Sequence, residues 1–524
     1  MNFSRRNFLK TAGAACGAAL WSPSVIELEA AEAAGIDKIK LSEIAISRAK
    51  KLGATYADIR INRYRNETIT TREQQVQNVS RTQSFGFGVR VLVKGAWGFA
   101  ASYVLTPESV RRVTAQAVDI AKANAAYQRK PVRLVPVEKT ITNWKSAFKK
   151  DPFDVATDSK IEFLLKLNEA AMKTRGASFV SSVLSFQNEQ KFYASTDGSQ
   201  IEQYIIRTLP SFQVTAVNRA AGDFQTRSSL AGPKTIGYEY LDEYPWQTEA
   251  EQAGEEAVAK LQAKPVVPGK YDLVLHPSHL WLTIHESVGH STELDRALLW
   301  EADFAGTSFL TPDQTGKLQF GSNICNFYAD RTQPHGLATV GYDDEGVPGQ
   351  RWPLVKDGIF VGWQTTRDLA AQMDQKRSFG CLHADSWGSV PFPRMPNVSL
   401  DPAEQDISLE ELASGVEDGI LIYGNGSWSI DQQRYNFQFG GQTFREIKKG
   451  KVGQMLRDVA YQSRTTDFWK ACDGLGGKST YELNGAANDG KGEPTQSNAV
   501  SHGCPVSRFR QINVLNTAAN QRKA

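Results

Sequence analysis

The chain has 524 residues, with 60 Lys+Arg against 57 Asp+Glu, a net charge of +3 and 41% hydrophobic residues. Such an even charge balance argues against a dedicated nucleic-acid binder, which carries a basic excess or stripe. A mean hydropathy of −0.40, without any apolar run of about 18 residues, excludes a multi-span membrane protein. An aromatic content of 10%, including 11 Trp, is core-building material and excludes general disorder.

The N-terminus reads as an address. Ser4-Arg5-Arg6-Asn7-Phe8-Leu9-Lys10, then a weakly apolar stretch ending at Trp21, resembles a twin-arginine export signal and is too short to span a bilayer. Ala31-Glu32-Ala33 offers the small residues of a cleavage site, so residues 1–33 are set aside from the fold. The mature chain is expected to be periplasmic or otherwise extracytoplasmic, without a membrane span. Cys16 lacks a lipobox, because Gly13 stands where Leu is needed. The remaining cysteines, Cys325, Cys381, Cys472 and Cys504, are widely spaced. No Cys-x-x-Cys pair is present, and an oxidising compartment permits disulfides without establishing them.

In chain order, residues 36–52 predict an amphipathic helix ending at Gly53, and residues 56–64 a strand. Residues 86–102 predict a hairpin turning at Lys94-Gly95. Helices are expected over 107–125 and 160–174, strands across 180–217 with a turn at Asp197-Gly198, and a charged helix over 248–263. That last helix stops before Pro265 and Pro268, which marks a domain boundary. A buried strand over 271–275 leads into a segment of helical length, 278–299. Beyond it the chain is rich in Gly, aromatics and turn dipeptides, with one short helix capped by Ser408 and Glu411. The reading is α+β: a mixed α/β N-terminal domain (36–264) with a long hairpin, then a mainly β C-terminal domain (268–520) carrying the HExxxH helix.

The chemistry concentrates in 278–299, SHLWLTIHESVGHSTELDRALL, where His285-Glu286 and His290 form HExxxH. In a regular α-helix positions i and i+4 lie about 40° apart around the axis, but i and i+5 about 140°. Two imidazoles at this spacing converge on one metal only if the helix is locally unwound. A π-bulge achieves this, and Gly289 is a permissive place for it. His285 and His290 are then zinc-type nitrogen ligands, and Glu286 the general base for a water activated by the metal. Catalytic zinc takes three protein ligands, so the pair is incomplete. Glu293 and Asp295 are candidate orienting partners behind the ligands. His276 and His279, at the strand-to-helix junction with Pro between them, read as structural.

HESVGHSTELD, residues 285–295, resembles the HExxxHxxEGD core of the TldD/PmbA metallopeptidases, also described as modulators of DNA gyrase, with Leu294 in place of Gly. GATYADIR, GFGVRVLVKGAWGFA, STDGS, DDEGVPGQR, GVEDGI and DGKGEPTQSNAVSHGCP follow the family's blocks in order over residues 36–516. The resemblance implies a TldD-like, metal-keeping subunit. It implies a zinc peptidase acting on short or unfolded peptides inside a dimer, either a homodimer or a heterodimer with a PmbA-like metal-free paralogue. It also implies two histidines and a C-terminal cysteine as ligands, and a glutamate base. His285, His290 and Glu286 match residue by residue, but Asp489 stands where relatives carry the cysteine of Cys-Gly-Lys-Gly.

Three outcomes follow: Asp489 is the third ligand, Cys504 takes that place, or the site is altered. An oxygen ligand gives a harder site, in which other divalent metals compete with Zn2+. The alternative to an exported peptidase is a non-catalytic subunit or peptide-binding scaffold with a changed site. A nucleic-acid-associated regulator conflicts with the export signal and with the charge balance.

Overall fold

Asp37 accepts a hydrogen bond from the Lys40 backbone at 2.9 Å and starts α1 (Lys38–Lys51). This is the first element of a computed structural model that describes residues 36–518. The arginine pair, Cys16 and the Ala31-Glu32-Ala33 triplet lie outside the described residues. Leu41, Ala45 and Ala49 form the buried stripe of α1, and the helix is followed by Gly53 at φ +96. The strands β1 (Tyr56–Arg72) and β2 (Gln75–Val93) pair along their whole lengths. They are longer than the sequence predicts because the outer half of β2 is exposed and polar, which hides its alternation. β3 (Ala96–Ser102) follows a tight turn in which Lys94 and Gly95 both have positive φ, as a twisted two-residue hairpin requires.

The helix α2 (Pro107–Ala125) has the predicted bounds. Next come β4 (Ile141–Lys145), α3 (Thr157–Met172), β5 (Ala177–Ser195), β6 (Gln200–Asn218), β7 (Asp223–Ser228) and α4 (Trp246–Lys260). The seven strands form one sheet in the order β3-β2-β1-β5-β6-β4, with β7 also on β6. Two helix pairs cover different stretches of it. α1 and α2 bury Ile59, Val89 and Val91, whereas α3 and α4 bury Leu184, Phe186, Phe212 and Val214.

The second half is built on a ten-stranded sheet. Its central strand β8 (Gly269–Leu275) ends in Leu273, Val274 and Leu275, all with no exposure. It runs parallel to β9 (Asp418–Tyr423). The segment after β8 is not the single helix its length suggests. It comprises α5 (Pro277–Ile284), a π turn (His285–Gly289), a 3-10 turn (His290–Thr292) and a short helical stretch (Leu294–Ala297). A separate hairpin, β10 (Glu482–Lys491) and β11 (Gln496–Cys504), precedes β12 (Ser507–Asn516), which pairs antiparallel with β8. The helix capped by Ser408 and Glu411 forms with both capping-box hydrogen bonds.

Ionisable side chains buried between the N-terminal sheet and the loop at 343–345 join the two halves. Asp344 takes Lys191 at 2.5 Å and Arg60 at 3.8 Å. Arg90 lies between Asp58, at 2.7 Å, and Glu345, at 3.6 Å. Such buried pairs impose geometry more than they add stability. Among the described residues the four cysteines are buried and unbridged, and no helix is long and apolar enough to cross a membrane.

Candidate metal centre

His276 caps α5 by accepting from the Ser278 backbone, and Pro277 supplies the first helical residue. Leu280, Leu282 and Ile284 sink the helix into the core, so its C-terminal end is fixed where His285 begins. There the helix widens, and the backbone N–H of His290 reaches the carbonyl of His285. That i to i+5 bond carries His290 back to the face of His285, with ring centroids 4.5 Å apart. Gly289 has ordinary helical torsions, φ −56 and ψ −62, so the unwinding does not need its conformational freedom. Glycine is needed for space: a Cβ there would stand 2.5 Å from the Met395 sulfur. Gln364 donates to the Gly289 carbonyl at 2.6 Å and to Thr292 Oγ1 at 2.9 Å, satisfying backbone that the π turn frees.

Asp489, on β10, meets the two histidines. Its Oδ1 lies 3.7 Å from His285 Nε2 and 3.6 Å from His290 Nε2. One ligand atom from each of the three buried residues falls within 4.8 Å of the others. The hydrogen bonds behind the imidazoles fix their tautomers. His502 Nδ1 lies 2.8 Å from the Val398 carbonyl, which can only accept. His502 Nε2 is therefore the acceptor for His285 Nδ1–H at 2.8 Å, which leaves His285 Nε2 turned towards Asp489, whose carboxylate raises the pKa of that ring. His290 Nδ1 lies 2.8 Å from Glu293 Oε2 and 3.1 Å from Arg296 Nη2; the shorter contact, to a carboxylate that only accepts, assigns it the proton and leaves Nε2 turned towards Asp489. Two imidazole lone pairs and a carboxylate form a donor set that suits zinc and related divalent ions.

Charge is arranged around this set. Glu293 also takes Arg296 at 2.5 Å and Lys491 at 2.9 Å. Asp295 pairs with Lys491 at 2.7 Å and so stands one residue further from the imidazoles than Glu293. Arg394 reaches the second oxygen of Asp489 at 3.1 Å. Burial works against ionisation of Asp489, but the Arg394 guanidinium, and the two imidazoles when they carry a proton on Nε2, hold its carboxyl far below the usual range. Burial keeps His290 neutral, with Arg296 acting in the same direction. Glu286 is buried and faces Arg434 at 2.6 Å. Burial pushes its carboxyl up, against the pull of His285 and Arg434. Arg434 itself has φ +64. Arg434 and Arg296 both donate to the Ala305 carbonyl. Cys504 is not in the cluster; its sulfur lies against the Pro277 carbonyl. His279 bridges the Gly424 carbonyl and the Tyr461 hydroxyl, and His276 serves as the cap.

The chain matches the PmbA/TldA metallopeptidase C-terminal domain over residues 268–516, the central domain over 150–263 and domain 1 over 57–121. The chain belongs to the PmbA/TldD family. Residues 2–20 match the twin-arginine translocation pathway signal sequence. Among PmbA/TldD relatives, a metalloprotease of Methanocaldococcus jannaschii is 28% identical over 84% of this chain and 93% of its own. The zinc metalloprotease TldD homolog of Saccharolobus solfataricus is 23% identical over 90% of this chain and 98% of its own. The crystal structure of TldE from Thermococcus kodakarensis superposes with a TM-score of 0.70 at 15% identity, covering 90% of this chain and 99% of that one. This last likeness is one of fold.

Within this PmbA/TldD chain the HExxxH spacing flags His285, Glu286 and His290, and the family's tail block flags Asp489. His502, Arg394, Lys491 and Arg434 escape sequence reasoning. His502 and Lys491 lie in the same tail block as Asp489, but nothing local says that one supports His285 and the other Glu293. Arg434 sits in a turn with no motif around it.

Proposed function

We propose that this chain is an exported, zinc-dependent peptidase of the HExxxH type that hydrolyses short or unfolded peptides. The observation that carries the reading is the convergence of His285, His290 and Asp489 within 4.8 Å, with Glu286 directly beside the first histidine. These three residues would hold the metal, with other divalent ions as competitors of zinc because one donor is an oxygen. Bound there, the metal supplies Lewis-acid polarisation of a peptide carbonyl and an acidified water.

The chain's own residues supply the rest. Glu286 takes a proton from the attacking water and returns it to the departing amine. Arg434 keeps that carboxylate oriented and places a buried positive charge next to the site, where negative charge develops on the carbonyl oxygen. His502 and Glu293 hold the two imidazoles in the tautomers that present Nε2, and Arg394 holds Asp489 ionised. Peptide main chain added to an exposed sheet edge fits a substrate of varied sequence. The export signal supports a periplasmic or extracytoplasmic site of action. The family resemblance of the sequence implies a dimer, either of two copies or with a metal-free paralogue.

The test is cleavage of an unfolded polypeptide by the purified chain, with and without chelator, beside the Glu286→Gln variant. Chelator-sensitive cleavage that falls by about 10²–10⁴ in the variant, with metal content retained, is the expected result. Wild-type cleavage by Glu286→Gln refutes the assigned base. Absence of both metal and cleavage in the wild-type chain supports a non-catalytic scaffold instead.

A further inference from the structure

A cavity of about 670 Å³ lies between the two halves of the molecule, at the N-terminal end of α5. Its walls include Lys234, Tyr240 and Tyr244 from the first half, and His276, Tyr481 and Glu482 from the second. It is separate from the metal centre. Glu482 opens β10 and Asp489 lies near its other end, which at about 3.3 Å per residue puts them roughly 20 Å apart.

The polar groups of this cavity divide sharply into committed and free. The Tyr240 hydroxyl donates to the Gly232 carbonyl at 2.8 Å, and Tyr244 donates to Glu249 at 2.9 Å. The Tyr481 hydroxyl accepts from Gln333 at 2.8 Å. The tyrosine rings therefore present apolar surface to the space. The Lys234 ammonium sits 4.8 Å from the centre of the Tyr240 ring, and no carboxylate among the described residues lies within ion-pair distance of it. Glu482 has His276 Nε2 at 3.6 Å and the Asn484 side chain within hydrogen-bonding reach, but among the described residues no Lys or Arg lies within ion-pair distance of it. Because His276 Nδ1 accepts from the Ser278 backbone, Nε2 carries the proton and points it towards Glu482.

Two opposite charges thus share one aromatic-walled space without pairing with each other. Burial lowers the pKa of Lys234 and raises that of Glu482, each charge pulls the other back towards its ordinary value, and the Glu482 side chain keeps 48% of its surface exposed. A cation and an anion set apart on the walls of one cavity offer complementary contacts to a ligand that carries both charges. The volume is that of a small-molecule site, and an inter-domain cleft is a common place for one.

We propose that this cavity binds a small zwitterion of the amino-acid or dipeptide class, its carboxylate on Lys234, its ammonium on Glu482 and its side chain against Tyr240 and Tyr244. The site touches both elements that build the metal centre, since His276 caps α5 and Glu482 opens β10. It does not depend on catalysis.

Titration calorimetry with glycyl-L-tyrosine tests the assignment, using full-length Glu286→Gln protein so that the probe is not consumed. The N-acetylated and C-amidated forms of the probe serve as controls, and Lys234→Met and Glu482→Gln are introduced separately. The expected result is saturable binding of the zwitterion, weakened about tenfold or more by blocking either terminus or by either substitution, the worth of one charge-assisted hydrogen bond. Thermal unfolding confirms that the variants remain folded. No binding, equal binding of the blocked forms, or binding unaffected by both substitutions would overturn the proposal.

Discussion

His502 donates to the Val398 carbonyl and thereby compels His285 to donate to it, across 2.8 Å on each side. The relay begins at a backbone oxygen and ends at the His285 Nε2 that faces Asp489. Replacing His502 with alanine leaves His285 free to turn or to change tautomer. Metal affinity should fall about 10–100-fold, read by competition with a chromogenic chelator. Unchanged affinity would mean that the relay does not set the ligand.

Asp489 has two separable duties, one towards the histidines and one towards Arg394. Asp489→Ala should lose metal by elemental analysis. It should also destabilise the chain by about 3–5 kcal/mol, because the Arg394 guanidinium is left buried without its carboxylate. Asp489→Cys should recover metal through the thiolate. Full metal retention in Asp489→Ala would remove this residue from the ligand set.

Gly289 is constrained by Met395 rather than by its torsions. Gly289→Ala should cost about 1–3 kcal/mol from overpacking, and shortening Met395 to alanine in the same chain should cancel part of that cost. The check is a double-mutant cycle in urea. Additive effects would show that the two residues are not in energetic contact.

Glu345 sits in the buried network between the two halves, where burial and then Asp343 push its carboxyl from an ordinary 4.5 up to about 8, against Arg90. Between those values the folded chain keeps a proton that the unfolded chain has released, so this group lowers stability as pH rises through the window. Glu345→Gln should make the fall shallower in urea unfolding at the two ends of the window. An unchanged slope would assign the pH dependence to other groups.

The fold was legible wherever periodicity was strong: α1, α2 and the β2–β3 turn lie close to their predicted places. The outer halves of β1 and β2 were not, because strands with an exposed, polar end do not alternate. At the candidate site, legibility followed sequence distance. His285, Glu286 and His290 share one turn, and even the π geometry follows from their spacing. His502 supports His285 from 217 residues away, and Arg394, Arg434 and Lys491 likewise act across the fold. No local pattern encodes such partnerships, since only the assembled sheets bring the residues together.

Asp489 arrives about 200 residues after His290, and closing a loop of that length costs entropy that only a largely folded chain can offset. A partly synthesised or misfolded chain therefore holds two imidazoles but not the third donor. With the proposed ligand set, metal capture would work as a proofreading mark. Tight occupancy would report that β10 has docked against the π turn, and by mass action it would stabilise the chains that have reached that state over those that have not.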